Sequence, residues 1–452
     1  MSDWKEYSLG DISRNISRRF DFNAYPNVVF INTGDVLNNQ FLHCDISNVK
    51  DLPGQAKKAI KKGDILYSEI RPGNGRYLFV DNDLDNYVVS TKFMVIEPNA
   101  NIVLPEFLFL LLISNETTEY FKMIAESRSG TFPQITFDSV SSLSLNIPDK
   151  ETQQKILDII TPLDDKIELN TQINQTLEQI AQALFKSWFV DFDPVRAKVQ
   201  ALSDGLNLEQ AELAAMQAIS GKTPEELTAL SQIQPECYAE LAETAKAFPC
   251  EMMEVDGVEV PKGWEVLNAN DVIEFNPKET LKKDTLAYYL DMASLPTQGC
   301  SPDLPILRKF TSGTRFRNGD TLFARITPCL ENGKTAFIQY LPEGTVAWGS
   351  TEYIVMRTKG IIPKPYSYLL ARYESFREYA IRSMTGTSGR QRTQLDIIET
   401  YKVVSPSDNK LWESFSKIIN PIFETINSNT NKNITLYNIR DLLLPKLLNE
   451  VI

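Results

Sequence analysis

Four groupings in this 452-residue chain carry the functional groups of an active site, and each lacks a part. Pro148-Asp149 with Asp164-Asp165-Lys166 offers a carboxylate in each cluster and a lysine, as a metal-dependent nuclease needs. The second cluster, however, falls in a stretch with helical periodicity instead of on a strand. Ser220-Gly221-Lys222-Thr223 resembles the end of a phosphate loop, but Met216 stands where its first glycine is required. Thr223-Pro224-Glu225-Glu226 reads better as a helix start, with Thr223 as N-cap. Asp193-Pro194-Val195 lacks the second proline and the aromatic of an adenine methyltransferase motif. His43, the one histidine, has no serine or cysteine partner that spacing can place, so it reads as structural or surface. The five cysteines (Cys44, Cys237, Cys250, Cys300, Cys329) are scattered, which excludes a usual structural zinc site and fits a reducing cytoplasm. No glycine-rich loop follows a strand. The expectation is no catalytic residue, no metal and no cofactor.

What the chain does contain is a pattern for holding things in place. In residues 163–198, Leu163, Ile167, Asn170, Asn174, Leu177, Ala181, Leu184 and Trp188 recur at alternating steps of four and three, a heptad seam. Asn170 and Asn174 are poor choices for a dry core. At a seam they fix register, because a slipped pairing strands their amides. The pattern recurs near the C-terminus at an offset of 259: Pro421 for Pro162, Ile426 for Ile167, Asn429 for Asn170, Asn433 for Asn174. Two matched helices in one chain predict a coiled coil within it. Trp188 and Phe189 are expected to pack at its end, since the other helix has leucines there.

The rest of the chain is also doubled. GDTLFARITP at 319 answers GDILYSEIRP at 63, Gly333-Lys334 answers Gly75-Arg76, and Ser350-Thr351-Glu352-Tyr353 answers Ser90-Thr91-Lys92-Phe93. TGTSGRQRT answers SGTFPQIT, with every offset between 256 and 260. Short β-rich runs mix with helices without strict alternation, so each copy is α+β. One amphipathic helix is expected from Pro105 through residue 127, and a break or bend of the central helix near Pro162. The predicted order is a first domain over 1–150, a central helix over 151–200, an acidic helical connector over 201–260, a second domain over 261–407 and a terminal helix over 408–452. The apolar share, 42%, fits a soluble globular protein. The longest apolar run, residues 107–113, is too short to cross a bilayer, and the N-terminus shows no signal region. Net charge is −13, which argues against nucleic acid. Residues 202–256 alone carry a surplus of nine acids, so the flanking domains are nearer neutral. That segment reads as a spacer or a protein-docking element.

The collinear duplication, FKSWFVDFDPVRAK closing the central helix and RDLLLPKLL closing the terminal one together resemble the specificity subunits of Type I restriction-modification enzymes. The resemblance covers essentially the whole chain, apart from the acidic connector, which the shortest members lack. It implies two target-recognition domains, each reading half of a bipartite double-stranded DNA site, held apart by two antiparallel coiled-coil helices. It implies a non-catalytic subunit on which two methyltransferase subunits and two ATP-dependent restriction subunits assemble.

Under that resemblance the DNA-contact candidates are cations and amides near turns. They are Arg71, Arg76, Lys92, Arg128 and Gln134 in the first domain, and Arg315, Arg317, Arg325, Lys334, Arg390, Gln391 and Arg392 in the second. Arg suits guanine edges and Gln adenine edges, both bidentately, while Lys more often serves phosphate. The glycines flanking these loops, Gly130 and Gly386 to Gly389, permit close approach to phosphate. The rival reading is a coiled-coil adaptor whose duplicated domains bind protein partners; global acidity favours it and the Arg-rich loops oppose it.

Overall fold

A computed structural model describes residues 4–127, 133–255, 257–387 and 389–449, and these form two compact units. One comprises Met1–Asp165 with Leu436–Ile452; the other is Lys166–Thr435.

In the first unit, Lys5–Ser8 pairs antiparallel with Ser144–Ile147. Two four-stranded sheets follow. One runs Ile46–Asn48, Asn27–Ile31, Tyr87–Ser90, Ala56–Ala59, and the other Ser13–Asn15, Phe93–Pro98, Ile65–Ser68, Tyr77–Phe79. Tyr87–Ser90 runs parallel to Asn27–Ile31, while the other pairings are antiparallel. Ile65–Ser68 is buried at all four positions, because core lies against both of its faces. The segment expected as one helix from Pro105 forms two, Pro105–Leu112 and Asn115–Ser127. The reason is Ser114, whose Oγ accepts from the Thr117 amide at 3.2 Å and starts a new helix.

The second unit repeats the two four-stranded sheets. Ile306–Lys309, Leu286–Leu290, Ala347–Gly349 and Thr314–Phe316 form one sheet, and Ile273–Phe275, Tyr353–Thr358, Thr321–Ala324 and Thr335–Phe337 the other. Leu286–Leu290 and Ala347–Gly349 again make a parallel pair. Both repeats are α+β, as expected.

The central helix, Lys150–Phe189, runs unbroken through Pro162, and the terminal helix, Asn409–Asn449, through Pro421. Both prolines are exposed, where the carbonyl deprived of its helical donor is met by water. The central helix ends at Phe189 and not at residue 200, because Phe192 takes a left-handed conformation (φ 57°) and redirects the chain into Asp193–Ser203. Phe189 stacks on Trp412 (4.7 Å, 12°), and Trp188 is fully buried against Phe248 and Phe415. The connector contributes Leu208–Ser220, Pro224–Ile233 and Pro235–Ala247, then a hairpin of Met252–Val255 with Val258–Pro261. Met216, Ile219 and Leu227 join the core that holds Trp188, and Thr223 caps its helix as its sequence implies.

Within the second unit the two long helices meet antiparallel through their asparagines. Asn170 Nδ2 donates to Asn433 Oδ1 at 2.8 Å, and Asn429 Nδ2 donates to Asn174 Oδ1 at 3.0 Å. The remaining amides also match: Asn433 Nδ2 reaches the Ile167 carbonyl and Thr171 Oγ1, and Asn174 Nδ2 the Ile426 carbonyl and Thr430 Oγ1. A local twofold exchanges the two layers. Replacing Asn170 alone by Leu leaves the buried Asn433 oxygen without its donor and should lower stability by about 1–3 kcal/mol. Replacing Asn170 and Asn433 together by Leu should cost clearly less than the sum of the single changes. Urea unfolding of the four proteins checks this, and strictly additive losses would contradict the pairing.

Candidate nucleic-acid interface

The turn sequences that answer one another build the same junction in each repeat. In the first, the Glu69 amide donates to the Lys92 carbonyl (3.0 Å), the Ile135 amide to the Glu69 carbonyl (2.8 Å) and the Arg71 amide to the Pro133 carbonyl (3.0 Å). In the second, the Arg325 amide donates to Glu352 (3.0 Å), the Thr393 amide to Arg325 (2.9 Å) and the Thr327 amide to Gln391 (3.0 Å). Ser90 Oγ accepts from the Lys92 amide as Ser350 Oγ does from the Glu352 amide. Backbone geometry is thus held constant while the side chains on it change sign. Glu69 faces Lys92 at 4.0 Å in the first repeat; Arg325 and Glu352 take those positions in the second. Where Gln134 bridges to Ile70, Arg392 bridges to Ile326.

Arg71 is exposed beside Gln134, with a left-handed backbone (φ 49°). Lys92 is half-buried, its side chain 4.0 Å from Glu69. Arg128 lies outside the described residues, as do Gly130 and Thr131. In the second repeat Arg390 is exposed, and Gln391 contributes backbone groups to Thr327. Arg392 forms a bidentate ion pair with Glu352, its Nε at 3.0 and 2.9 Å and its Nη2 at 2.6 Å. The Glu352 carboxyl is held below the usual carboxylate range by those bonds, and Arg325 adds attraction. Arg325 is half-buried with its Nε unpartnered. Arg317 stands apart, exposed and 3.4 Å from Glu279.

Three candidates also bond to carbonyls within the fold. Arg76 Nη1 donates to the Gly34 and Val36 carbonyls at 2.8 and 2.7 Å. Lys334, its counterpart, donates to Met292 and Ala293 at 2.8 and 3.0 Å. Arg315 donates to the Glu279 carbonyl at 2.7 Å. A turn rich in cations looks the same in sequence whether its charges face water or tie down a neighbouring loop.

Sequence reasoning missed Glu352, although the repeat alignment holds the signal: an acid stands where the first copy has Lys92. It also missed a cationic ribbon. Pairing of Leu286–Leu290 with Ile306–Lys309 brings exposed Lys282, Lys283, Arg308 and Lys309 to one sheet edge, with Arg308 lying 4.8 Å over the Tyr289 ring. The nuclease-like carboxylates have structural partners: Asp149 Oδ1 accepts from the Thr152 amide at 2.9 Å, and Asp164 pairs with Arg440 at 3.0 Å. Among the described residues no three His, Cys, Asp or Glu side chains converge to hold a metal, and no helix is long and apolar enough to cross a membrane.

Two copies of one α+β domain, each with a cation-bearing junction, and a helical pairing built for register define a recognition module. Comparison with known proteins agrees. The family described as Type I restriction modification DNA specificity domain matches residues 1–179. The Type I restriction enzyme HindI specificity subunit of Haemophilus influenzae is 64% identical over 461 residues, covering 99% of each chain. The MjaIX specificity subunit of Methanocaldococcus jannaschii is 21% identical over 85% of this chain and 77% of its own. A solved S subunit of a Type I system from M. genitalium is 12% identical, with a TM-score of 0.49 over 100% of this chain and 97% of that one. The chain belongs to the specificity subunits of Type I restriction enzymes. It is the non-catalytic subunit that gives such an enzyme its DNA sequence specificity, which sets the protein-adaptor reading aside.

Arg76→Ala and Lys334→Ala should each destabilise the fold by about 0.5–1.5 kcal/mol, since one part-buried and one exposed carbonyl lose their charged donor. Sequence preference should stay as in the unaltered protein. Thermal unfolding with a binding-site profile measures both, and an intact melting temperature with altered preference would return these residues to the interface.

Proposed function

We propose that each repeat reads one half of a bipartite duplex site through its junction, and that methyltransferase and ATP-dependent restriction subunits, two of each, act from this chain as their platform in the cytoplasm. The observation that supports it most is the junction itself, one backbone scaffold carrying two different sets of side chains. Such a pair of readers recognises two different half-sequences. Base-edge contact belongs to Arg71, Arg128 and Gln134 in the first repeat and to Arg325, Arg390, Gln391 and Arg392 in the second. Lys92, Arg317 and the ribbon of Lys282, Lys283, Arg308 and Lys309 suit phosphate, where a cation needs no base geometry. The acidic connector repels phosphate and serves protein contacts or spacing.

A library of duplexes with two randomised blocks and a variable gap, selected by the chain with its methyltransferase subunits, should return two unlike half-sequences at one gap length. Recovery of a single continuous block would overturn the bipartite reading. Changing the four ribbon cations to Ala should weaken binding to all sequences alike. The slope of log affinity against log salt should flatten by about 0.9 for each phosphate that is no longer neutralised.

The paired helices are proposed to set the unread gap. One extra heptad after Asn174, matched by one before Asn429 in the antiparallel partner, adds about 10 Å at ~1.5 Å per residue, or roughly three base pairs at ~3.4 Å each. The same selection should then recover the same half-sequences with a longer gap. Full affinity at the original gap would rule the helices out as the ruler.

A further inference from the structure

Arg392 is anchored at both ends of its side chain. Its backbone exchanges hydrogen bonds with Thr385 (2.9 and 3.0 Å) and bridges to Ile326. Its guanidinium is clasped by Glu352 through Nε and Nη2. A guanidinium has five N–H donors. The clasp uses the Nε proton and one on Nη2, leaving both Nη1 protons and the second Nη2 proton along the opposite edge. Those two nitrogens form the fork that donates to O6 and N7 of guanine. The side chain is 44% exposed, and the clasp leaves this edge for a ligand.

Glu352 is itself fixed. Its amide donates to Ser350 Oγ at 3.1 Å and its carbonyl accepts from Arg325 at 3.0 Å, while its side chain is only 23% exposed. A long, flexible arginine loses rotamer freedom on binding, and a carboxylate that has already fixed it lowers that cost. The first repeat lacks this device. Lys92 stands at the Glu352 position and Gln134 at the Arg392 position, and an amide presents one donor and one acceptor, the pattern that adenine complements.

We propose that Glu352 is a positioning residue for base recognition, holding Arg392 so that its free edge reads a guanine in the half-site of the second repeat. This deepens the bipartite reading above and rests on it.

The test uses the full chain assembled with its methyltransferase subunits and a methylation profile over randomised half-sites. Glu352→Gln keeps shape and one acceptor but loses the bidentate charge. It should reduce preference for guanine at one position of the second half-site by roughly 10-fold to 100-fold, with the first half-site unchanged. Arg392→Lys should lose the same position, because an ammonium cannot form the fork. Glu352→Asp should restore part of the preference. A lowered melting temperature with the full preference retained in Glu352→Gln would show the ion pair to be structural only and overturn the proposal. Loss of the position in Arg392→Lys alone would overturn the role of Glu352. An unaltered complex without sequence preference would overturn the reading function itself, and this proposal with it.

Discussion

The reciprocal amide bonds between Asn170 and Asn433 and between Asn174 and Asn429 are the constraint on which this architecture depends. Apolar seams tolerate sliding, because one leucine layer resembles the next. A buried carboxamide does not, since each shift of a turn leaves a donor and an acceptor unpaired at about 1–3 kcal/mol per group. Asn170 is 2% exposed and Asn433 8%, so water is a poor substitute for the missing partner. Four such residues select one alignment of the two helices, each of which follows one repeat in the chain.

On that frame, duplication has kept backbones and exchanged charges. The junctions at Glu69–Lys92 and Arg325–Glu352 share their main-chain bonds and invert their side chains. The buried aspartates of the two GD turns tell the same story from the interior. Asp64 is satisfied by Arg18 at 2.9 Å and by the Lys61 amide, and Arg18 also pairs with Glu97. Asp320 is satisfied by Arg357 at 2.6 Å and by the Arg317 amide, and Arg357 also pairs with Glu279. The strand position of Glu97 is taken by Arg357 in the second copy, so acid and base have traded sides around a retained carboxylate. Burial pushes the Asp320 carboxyl up, and the Arg357 bonds pull it down. Loss of either partner leaves an uncompensated buried charge, which explains why the exchange is pairwise.

Such compensation separates two kinds of cation. Arg76, Lys334 and Arg315 bond to loop carbonyls within the fold. Arg390, Arg392 and the ribbon of Lys282, Lys283, Arg308 and Lys309 present charge outward from a chain whose net charge is −13. The excess acid sits in the connector helices, where Met216 and Leu227 turn into the core and the carboxylates face water.

Periodicity and internal repetition determined a good deal by themselves. The heptad seam, its four asparagines, the α+β class and the collinear repeat are all local or self-similar patterns, and spacing alone expresses them. The Thr223 cap is equally local. Tertiary structure decided what spacing cannot carry. Pro162 bends nothing sharp enough to end its helix, because it lies on an exposed face; Ser114 divides a helix that hydrophobic periodicity runs together. Above all, a cation's partner is set by residues tens to hundreds of positions away. Arg76 reaches Gly34, Lys334 reaches Met292 and Arg392 reaches Glu352. Electrostatic partners form across folded distance, so the sequence marks the cations and only the fold shows which groups each of them meets.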